Sequence, residues 1–190
     1  VRQPLEIKAP HFEAVVNFCQ QEGIELVVVG PEQMLADGLA DVLQKNDIHV
    51  FGPSKAAAEI ESSKAYAKAF MQRHSIPTAE YKSFKGKESL QVALDYIDSR
   101  PYDVVVKASG LAAGKGVIVP NNSEEAKQAV RDFLEKGVMG AAGEEIVLEQ
   151  RLEGFECSIL ALTDGEHIAV LPPAQDHKRV FDGDEGPNTG

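Results

Sequence analysis

The sequence predicts an α/β chain in which a piece of parallel sheet is followed by a small α+β module. Three observations carry this expectation. Helical stripes alternate with two short apolar runs, Leu26-Val27-Val28-Val29 and His49-Val50-Phe51, as in a parallel sheet covered on both faces. Residues 81–150 read as strand, helix, strand, strand, helix, strand. At the centre of that unit, DVVVKASGLAAGKGVIV (103–119) sets two β-branched runs around a glycine-rich turn.

In chain order, Phe12, Val15, Val16, Phe18 and Cys19 form the apolar stripe of a helix over 11–21 that Gly23 stops. The first apolar run ends in Gly30-Pro31-Glu32, a helix is expected over 36–44, and the second run ends in Gly52-Pro53-Ser54. The shared Gly-Pro turn puts both strand ends on one rim, and open α/β sheets bind ligands beyond the carboxyl ends of their strands. Glu32 is therefore a candidate to face a ligand, with a plain structural turn as the alternative. Two strands are few for such a sheet, so residues 1–60 are expected to be the later part of a domain. Ser54 is placed to cap an alanine-rich helix, and Ser62 or Ser63 to cap a second over 64–73. Ile76-Pro77-Thr78 ends that helix.

The module follows with an extended run over 78–84, a helix over 89–97 and strands over 103–108 and 117–119. Ser123 opens a helix that carries Glu124 and Glu125 in its first turn and runs to Glu135, before Gly137. A strand is expected over 146–149, then a hairpin of 155–162 with 167–171 around Asp164-Gly165. From Pro172 the chain reads as a long charged loop with no closing strand or helix, which suggests a fragment of a longer protein.

Composition narrows the function. A hydrophobic content of 43% supports a core, and no apolar run approaches the roughly 20 residues of a membrane span. A net charge of −11 argues against nucleic-acid or membrane partners. The start of the chain has no basic segment followed by an apolar one, so nothing suggests secretion, and the reduced thiols expected of its two cysteines fit a cytoplasmic location. Cys19 and Cys157 are expected to be buried, reduced thiols. Against this acidic background the loop 110–116 stands out. Gly110, Gly114 and Gly116 would let a phosphate approach backbone N–H groups, and Lys107 and Lys115 bracket the loop with positive charge. The spacing is not that of the P-loop: three residues separate Gly110 from Gly114, and Gly116 rather than Ser or Thr follows Lys115. A strand–loop–strand lid over a triphosphate is the better model.

The motifs VVVGPE (27–32), FGPS (51–54), SSKAYAKAFM (62–71), VVVKASGLAAGKGVIV (104–119), EQRLEGFE (149–156), PPAQDHKR (172–179) and DGDEGPNTG (182–190) resemble the glycinamide ribonucleotide synthetase family of ATP-grasp ligases. The resemblance covers nearly the whole chain from Phe12. It implies a partial ATP-grasp fold: the end of an amino-terminal substrate domain (1–60), a connecting segment (61–81), a lid (82–152) and the start of the catalytic subdomain (153–190). It also implies ATP and Mg²⁺ as cofactors and glycine and 5-phosphoribosylamine as substrates, and it leaves open whether the parent is monofunctional or fused to further purine-pathway domains.

Carried over by motif, Lys64 and Lys107 would reach the nucleotide phosphates and Gly110, Gly114, Lys115 and Gly116 would close over them. Glu149, Gln150, Arg151 and Leu152 would form the hinge at the adenine edge. Glu156 would accept from the ribose hydroxyls, and Asn188 would lie near the nucleotide. Asp176, His177, Lys178, Arg179, Pro187, Thr189 and Gly190, with Glu32, would contact the small substrates. No nucleophilic side chain is expected, metal ligands are expected beyond Gly190, and the fragment alone is expected to be inactive. The lid and lysines also fit another ATP-grasp ligase or carboxylase, although PPAQDHKR and GPNTG are not expected there. A non-catalytic nucleotide-binding module is the alternative outside enzymes.

Overall fold

The computed structural model describes residues 7, 9–175, 179–183 and 185–188. The chain divides into two compact units, Val1–Arg151 and Leu152–Gly190.

The first unit begins with α1 (Glu13–Glu22), whose buried stripe of Val15, Val16 and Cys19 follows the sequence pattern and whose exit is Gly23 at φ +63°. The strands β1 (Leu26–Val28) and β2 (His49–Phe51) pair in parallel, with Val27 opposite Val50. Val27 and Val50 pack on a core of Phe12, Val15, Val16, Cys19, Leu39, Leu43 and Ile48. Leu26, Val28 and Phe51 on the alternate positions are 57%, 66% and 51% exposed. The pair is thus covered on one face, where the apolar runs predicted cover on both.

A second difference lies between these strands. The helix expected over 36–44 is two helices, α2 (Glu32–Asp37) and α3 (Leu39–Lys45). Gly38, at φ +96°, adopts a left-handed conformation that glycine tolerates and a continuous helix does not. Glu32 accordingly stands in the first turn of α2, rather than in the turn before it.

Helices α4 (Lys55–Ser62) and α5 (Lys64–Arg73) meet end to end. The Ser54 hydroxyl accepts from Ala57 N and the Ser63 hydroxyl from Tyr66 N, each at 3.2 Å. Ser63 is therefore the cap, and Ser62 the last residue of α4.

The predicted order of the α+β module holds: β3 (Tyr81–Lys85), α6 (Leu90–Asp98), β4 (Val104–Ala108), β5 (Val117–Ile118), α7 (Ser123–Val130) and β6 (Glu145–Gln150). The sheet order is β3–β6–β4–β5, with every neighbouring pair antiparallel. One sheet face carries Phe84, Val104, Val106, Ile146 and Leu148 into a core with Ile97, Val130 and Phe133 from the helical side. Each such large apolar side chain contributes roughly 1.5–3 kcal/mol by leaving water. The helix expected to run to Glu135 is α-helical through Val130 and continues as a π-helical turn, Arg131–Glu135. Asn122 caps α7 by accepting from Glu125 N at 2.9 Å, while the Glu125 carboxylate accepts from Asn121 N at 2.9 Å.

In the second unit β7 (Ala161–Thr163) and β8 (Ile168–Val170) form the expected hairpin. Asp164 Oδ1 sets its turn by accepting from Glu166 N at 2.9 Å and His167 N at 2.7 Å. The stretch read as a loop without strands instead contains an antiparallel pair, β9 (Arg179–Phe181) and β10 (Glu185–Asn188). Alternation was hidden there because Gly186 and Pro187 interrupt the apolar pattern. Cys19 is buried as expected, whereas Cys157 is exposed; residues 155–160 form no strand that would bury one of its faces.

Candidate functional site

The site grows from the pleat of β4 and β6. Alternate residues of β4 (Val104, Val106, Ala108) enter the helix-side core, which turns Val105 and Lys107 to the other face. On β6, Ile146 and Leu148 face the same core, and Val147 and Glu149 lie opposite. The register sets Val105 against Glu149 and Lys107 against Val147, so Lys107 and Glu149 are diagonal neighbours. Lys107 Nζ pairs with Glu149 Oε1, and Lys68 Nζ, from α5, pairs with Oε2. Lys68 also donates to Thr78 Oγ1 at 2.7 Å and lies 5.7 Å from the centre of the Tyr81 ring.

Glu149 is only 7% exposed. Burial opposes its ionisation, but the hydrogen bonds and charges of Lys107 and Lys68 outweigh burial and hold its carboxyl below the usual range. β6 is an inner strand of the sheet, so Glu149 is not a surface charge on an edge strand.

The end of β4 is stitched to the start of α5. Lys64 N donates to Ser109 O at 2.8 Å, Ala65 N donates to the Ser109 hydroxyl at 3.0 Å, and the Ser63 and Ser109 hydroxyls stand 3.3 Å apart. Beyond Ser109, Gly110 N donates to Ala142 O at 3.0 Å. A Cβ on Gly110 would meet Ala142 Cα at 2.7 Å, and one on Gly116 would meet Ala112 Cβ at 2.8 Å. These two glycines permit close backbone packing, while Gly114, at φ +78° with open space around it, turns the loop tip. Lys64 reaches back along the loop, its Nζ 3.4 Å from Gly110 O. Burial lowers its pKa, the nearby Lys107 lowers it further, and Glu61 partly opposes both.

Lys64, Lys107, Gly110, Gly116 and Glu149 therefore belong to one cluster. Lys115 is exposed on the loop, its backbone N–H donating to Ala112 O at 2.9 Å. Gln150 N and Arg151 N donate to Glu80 O and Asp103 O at 2.8 and 2.9 Å, which fixes the end of β6. Glu32 is exposed on α2. Leu152 and Glu156 are exposed residues of the second unit, where Arg179, Pro187 and Asn188 lie on the β9–β10 pair. Asp176, His177, Lys178, Thr189 and Gly190 lie outside the described residues. Sequence reasoning missed Lys68, Thr78, Ser63 as a loop contact, and Ser109. The four-residue step from Lys64 to Lys68 was the available signal, because it places both lysines on one helical face.

Among the described residues no group of three or more His, Cys, Asp or Glu side chains is arranged to hold a metal ion. Among the described residues no helix is long and apolar enough to cross a membrane.

The antiparallel sheet, its two backing helices and the pair of lysines beside a glycine loop define an ATP-grasp module. In fold alone it resembles the Campylobacter jejuni biotin carboxylase in its complex with a β,γ-ATP ligand, at TM-score 0.66 and 20% identity over 84% of this chain and 36% of that one. The model of the phosphoribosylglycinamide synthetase ATP-grasp (A) domain matches residues 62–190, and that of the same synthetase's N domain matches residues 2–61. The chain belongs to the phosphoribosylglycinamide synthetase family.

A phosphoribosylamine–glycine ligase from Thermotoga maritima is similar at TM-score 0.72 and 33% identity, over 87% of this chain and 39% of that one. The bifunctional purine biosynthetic protein purD of Dictyostelium discoideum is 48% identical over 94% of this chain, and the trifunctional purine biosynthetic protein adenosine-3 of Gallus gallus 51% identical over 97%. The chain spans 22% and 18% of the lengths of these two relatives.

Proposed function

We propose that the protein carrying this chain is a phosphoribosylamine–glycine ligase of purine biosynthesis. It would join glycine to 5-phosphoribosylamine at the expense of ATP, releasing ADP, phosphate and glycinamide ribonucleotide. The observation that supports this reading most is the membership of both parts of the chain in one synthetase family, with Lys64, Lys107 and the glycine loop in one cluster. Residues 1–60 would serve the substrate domain, 61–81 the connection, 82–152 the lid and 153–190 the start of the catalytic subdomain.

Lys64 and Lys107 would neutralise the nucleotide phosphates as compact charges. Gly110, Gly114, Lys115 and Gly116 would close over them and exclude water, so that the activated glycine, a glycyl phosphate, survives until the amine arrives. Glu149, Gln150, Arg151 and Leu152 would hold the adenine edge, with Glu156 on the ribose and Asn188 near the nucleotide. Glu32, Asp176, His177, Lys178, Arg179, Pro187, Thr189 and Gly190 would meet the two small substrates. The work is positioning and electrostatic stabilisation. Mg²⁺ would supply further neutralisation of the triphosphate, and no described residue is assigned to it. The setting would be the cytoplasm, with further purine enzymes fused to the same polypeptide.

The test is ADP release by the full-length protein with ATP, Mg²⁺, glycine and freshly generated phosphoribosylamine, each omitted in turn. Release that requires both glycine and the amine supports the ligase. Release that instead requires bicarbonate and a different acceptor would replace it with a carboxylase.

A further inference from the structure

Around Glu149 two lysines share one buried carboxylate, and they are not equivalent. Lys68 is held three ways, by Glu149 Oε2, by Thr78 Oγ1 at 2.7 Å and by the Tyr81 ring at 5.7 Å. Its side chain is 11% exposed, whereas that of Lys107 is 27% exposed and emerges two residues before Ser109. Burial is the main cause that lowers the pKa of Lys64; Glu61 opposes it, and Lys107, which stands near enough for its charge to be felt, adds a smaller lowering. Two cations thus crowd the base of the loop. A polyanion arriving there relieves their repulsion and competes with Glu149 for Lys107.

We propose that Glu149 is the resting counter-ion of Lys107, and that Lys68 is a positioning residue that keeps Glu149 paired when Lys107 transfers to a nucleotide phosphate. This rests on the reading of the loop as a nucleotide site. The physical need is plain. A buried carboxylate stripped of its last partner is strongly destabilised, so without Lys68 the departure of Lys107 would either be opposed or require Glu149 to take up a proton. With Lys68 fixed by Thr78 and Tyr81, the carboxylate stays ionised and Lys107 is free to move. The titratable and charged groups facing Glu149 are Lys107 from β4, Lys68 from α5 and Tyr81, its register partner on β3.

The experiment is calorimetric titration of the full-length protein with ADP across about pH 6 to 8, in buffers of different ionisation enthalpy. Lys68→Met is expected to weaken ADP binding about tenfold or more at the upper end of that range. The deficit should narrow as pH falls, with a proton taken up on binding that the unsubstituted protein does not take up. Lys68→Arg should restore affinity, and Lys68→Met with Glu149→Gln should bind without proton uptake. Equal affinity, or a loss that is uniform in pH without proton uptake, would overturn the proposal while leaving nucleotide binding intact. Failure of the unsubstituted protein to bind ADP would instead overturn the nucleotide reading and this proposal with it. If Lys68→Met does not fold, the Glu149 carboxyl ¹³C resonance of the unsubstituted protein decides. It should shift on ADP addition while remaining that of an ionised group, and an unmoved resonance counts against the proposal.

Discussion

Gly110 and Ala142 pack so closely that a methyl group on residue 110 would lie 2.7 Å from the Ala142 Cα. The contact is with backbone, which cannot rotate aside, and it is locked by the hydrogen bond from Gly110 N to Ala142 O. Gly110→Ala is therefore expected to destabilise the first unit by about 1–3 kcal/mol through overpacking. Gly114→Ala meets nothing within 4 Å but must hold φ +78°; its expected cost is about 1 kcal/mol of backbone strain. Urea unfolding of the two variants checks the contrast, and a Gly110→Ala midpoint equal to that of the parent would show that this approach is not a constraint.

Glu149 gives a pH dependence with a definite sign. Its carboxyl titrates below the ordinary range in the folded protein, because the pull of Lys107 and Lys68 outweighs burial. The stability it contributes is then present above its unfolded value of about 4.3 and lost as pH falls through its lower folded value. Glu149→Gln should cost about 3 kcal/mol at neutral pH, because it leaves Lys68 buried without its anion. It should also flatten the acid limb of stability below about pH 4.3. Urea midpoints for both proteins at neutral and acid pH measure this. Parallel acid limbs would mean that the carboxylate is not stabilised by the fold.

Much of this architecture was legible in the sequence because its signals are local. The stripe of α1, the cap at Ser54, the valine runs and the Asp164-Gly165 turn each depend on residues near in sequence. What escaped depended on partners far along the chain or on backbone alternatives of similar energy. Gly38 could have been tolerated within one helix, and the turn at Arg131–Glu135 has residues as suited to an α-helix as to a π-helix. For the site, the motif pointed to Lys107 and Glu149 separately. That they pair, and that Lys68 completes the pair, follows from a β4–β6 register that composition does not reveal. Ser109, at 3% exposure, looks in sequence like any small loop residue.

The two hydroxyls at the α5–loop junction should prove coupled. Ser63 accepts from Tyr66 N at 3.2 Å and Ser109 from Ala65 N at 3.0 Å, so each satisfies an N–H that the first turn of α5 leaves open. Ser63→Ala and Ser109→Ala should each cost about 1 kcal/mol. Because the hydroxyls also stand 3.3 Å apart, the double variant should depart from the sum of the single effects by about 0.5 kcal/mol or more. Ser54→Ala, which removes the separate cap of α4, should add independently to either one. Strict additivity of the Ser63 and Ser109 changes in urea unfolding would mean that the hydroxyls do not interact.

Lys64 allows the nucleotide reading to be tested at the other end of the pH scale. Burial lowers its pKa, Lys107 adds to the effect and Glu61 only partly offsets it. In the free protein Lys64 therefore loses its proton earlier in an alkaline titration than an ordinary lysine, whose pKa is about 10.4. A bound polyphosphate favours the charged form, so binding and protonation of Lys64 reinforce each other. Affinity for ATP should then decline as pH rises through the depressed value. Lys64→Met should weaken binding about tenfold near neutrality, the loss of one charge-assisted contact, and should remove this alkaline decline. Lys64→Arg should retain charge throughout and bind with a flat profile. Lys115→Met provides the contrast, because Lys115 is exposed on the loop; its loss should weaken binding and leave the decline that depends on Lys64 in place. An alkaline decline that persists unchanged in Lys64→Met would assign the titration to another group and remove Lys64 from the phosphate contacts.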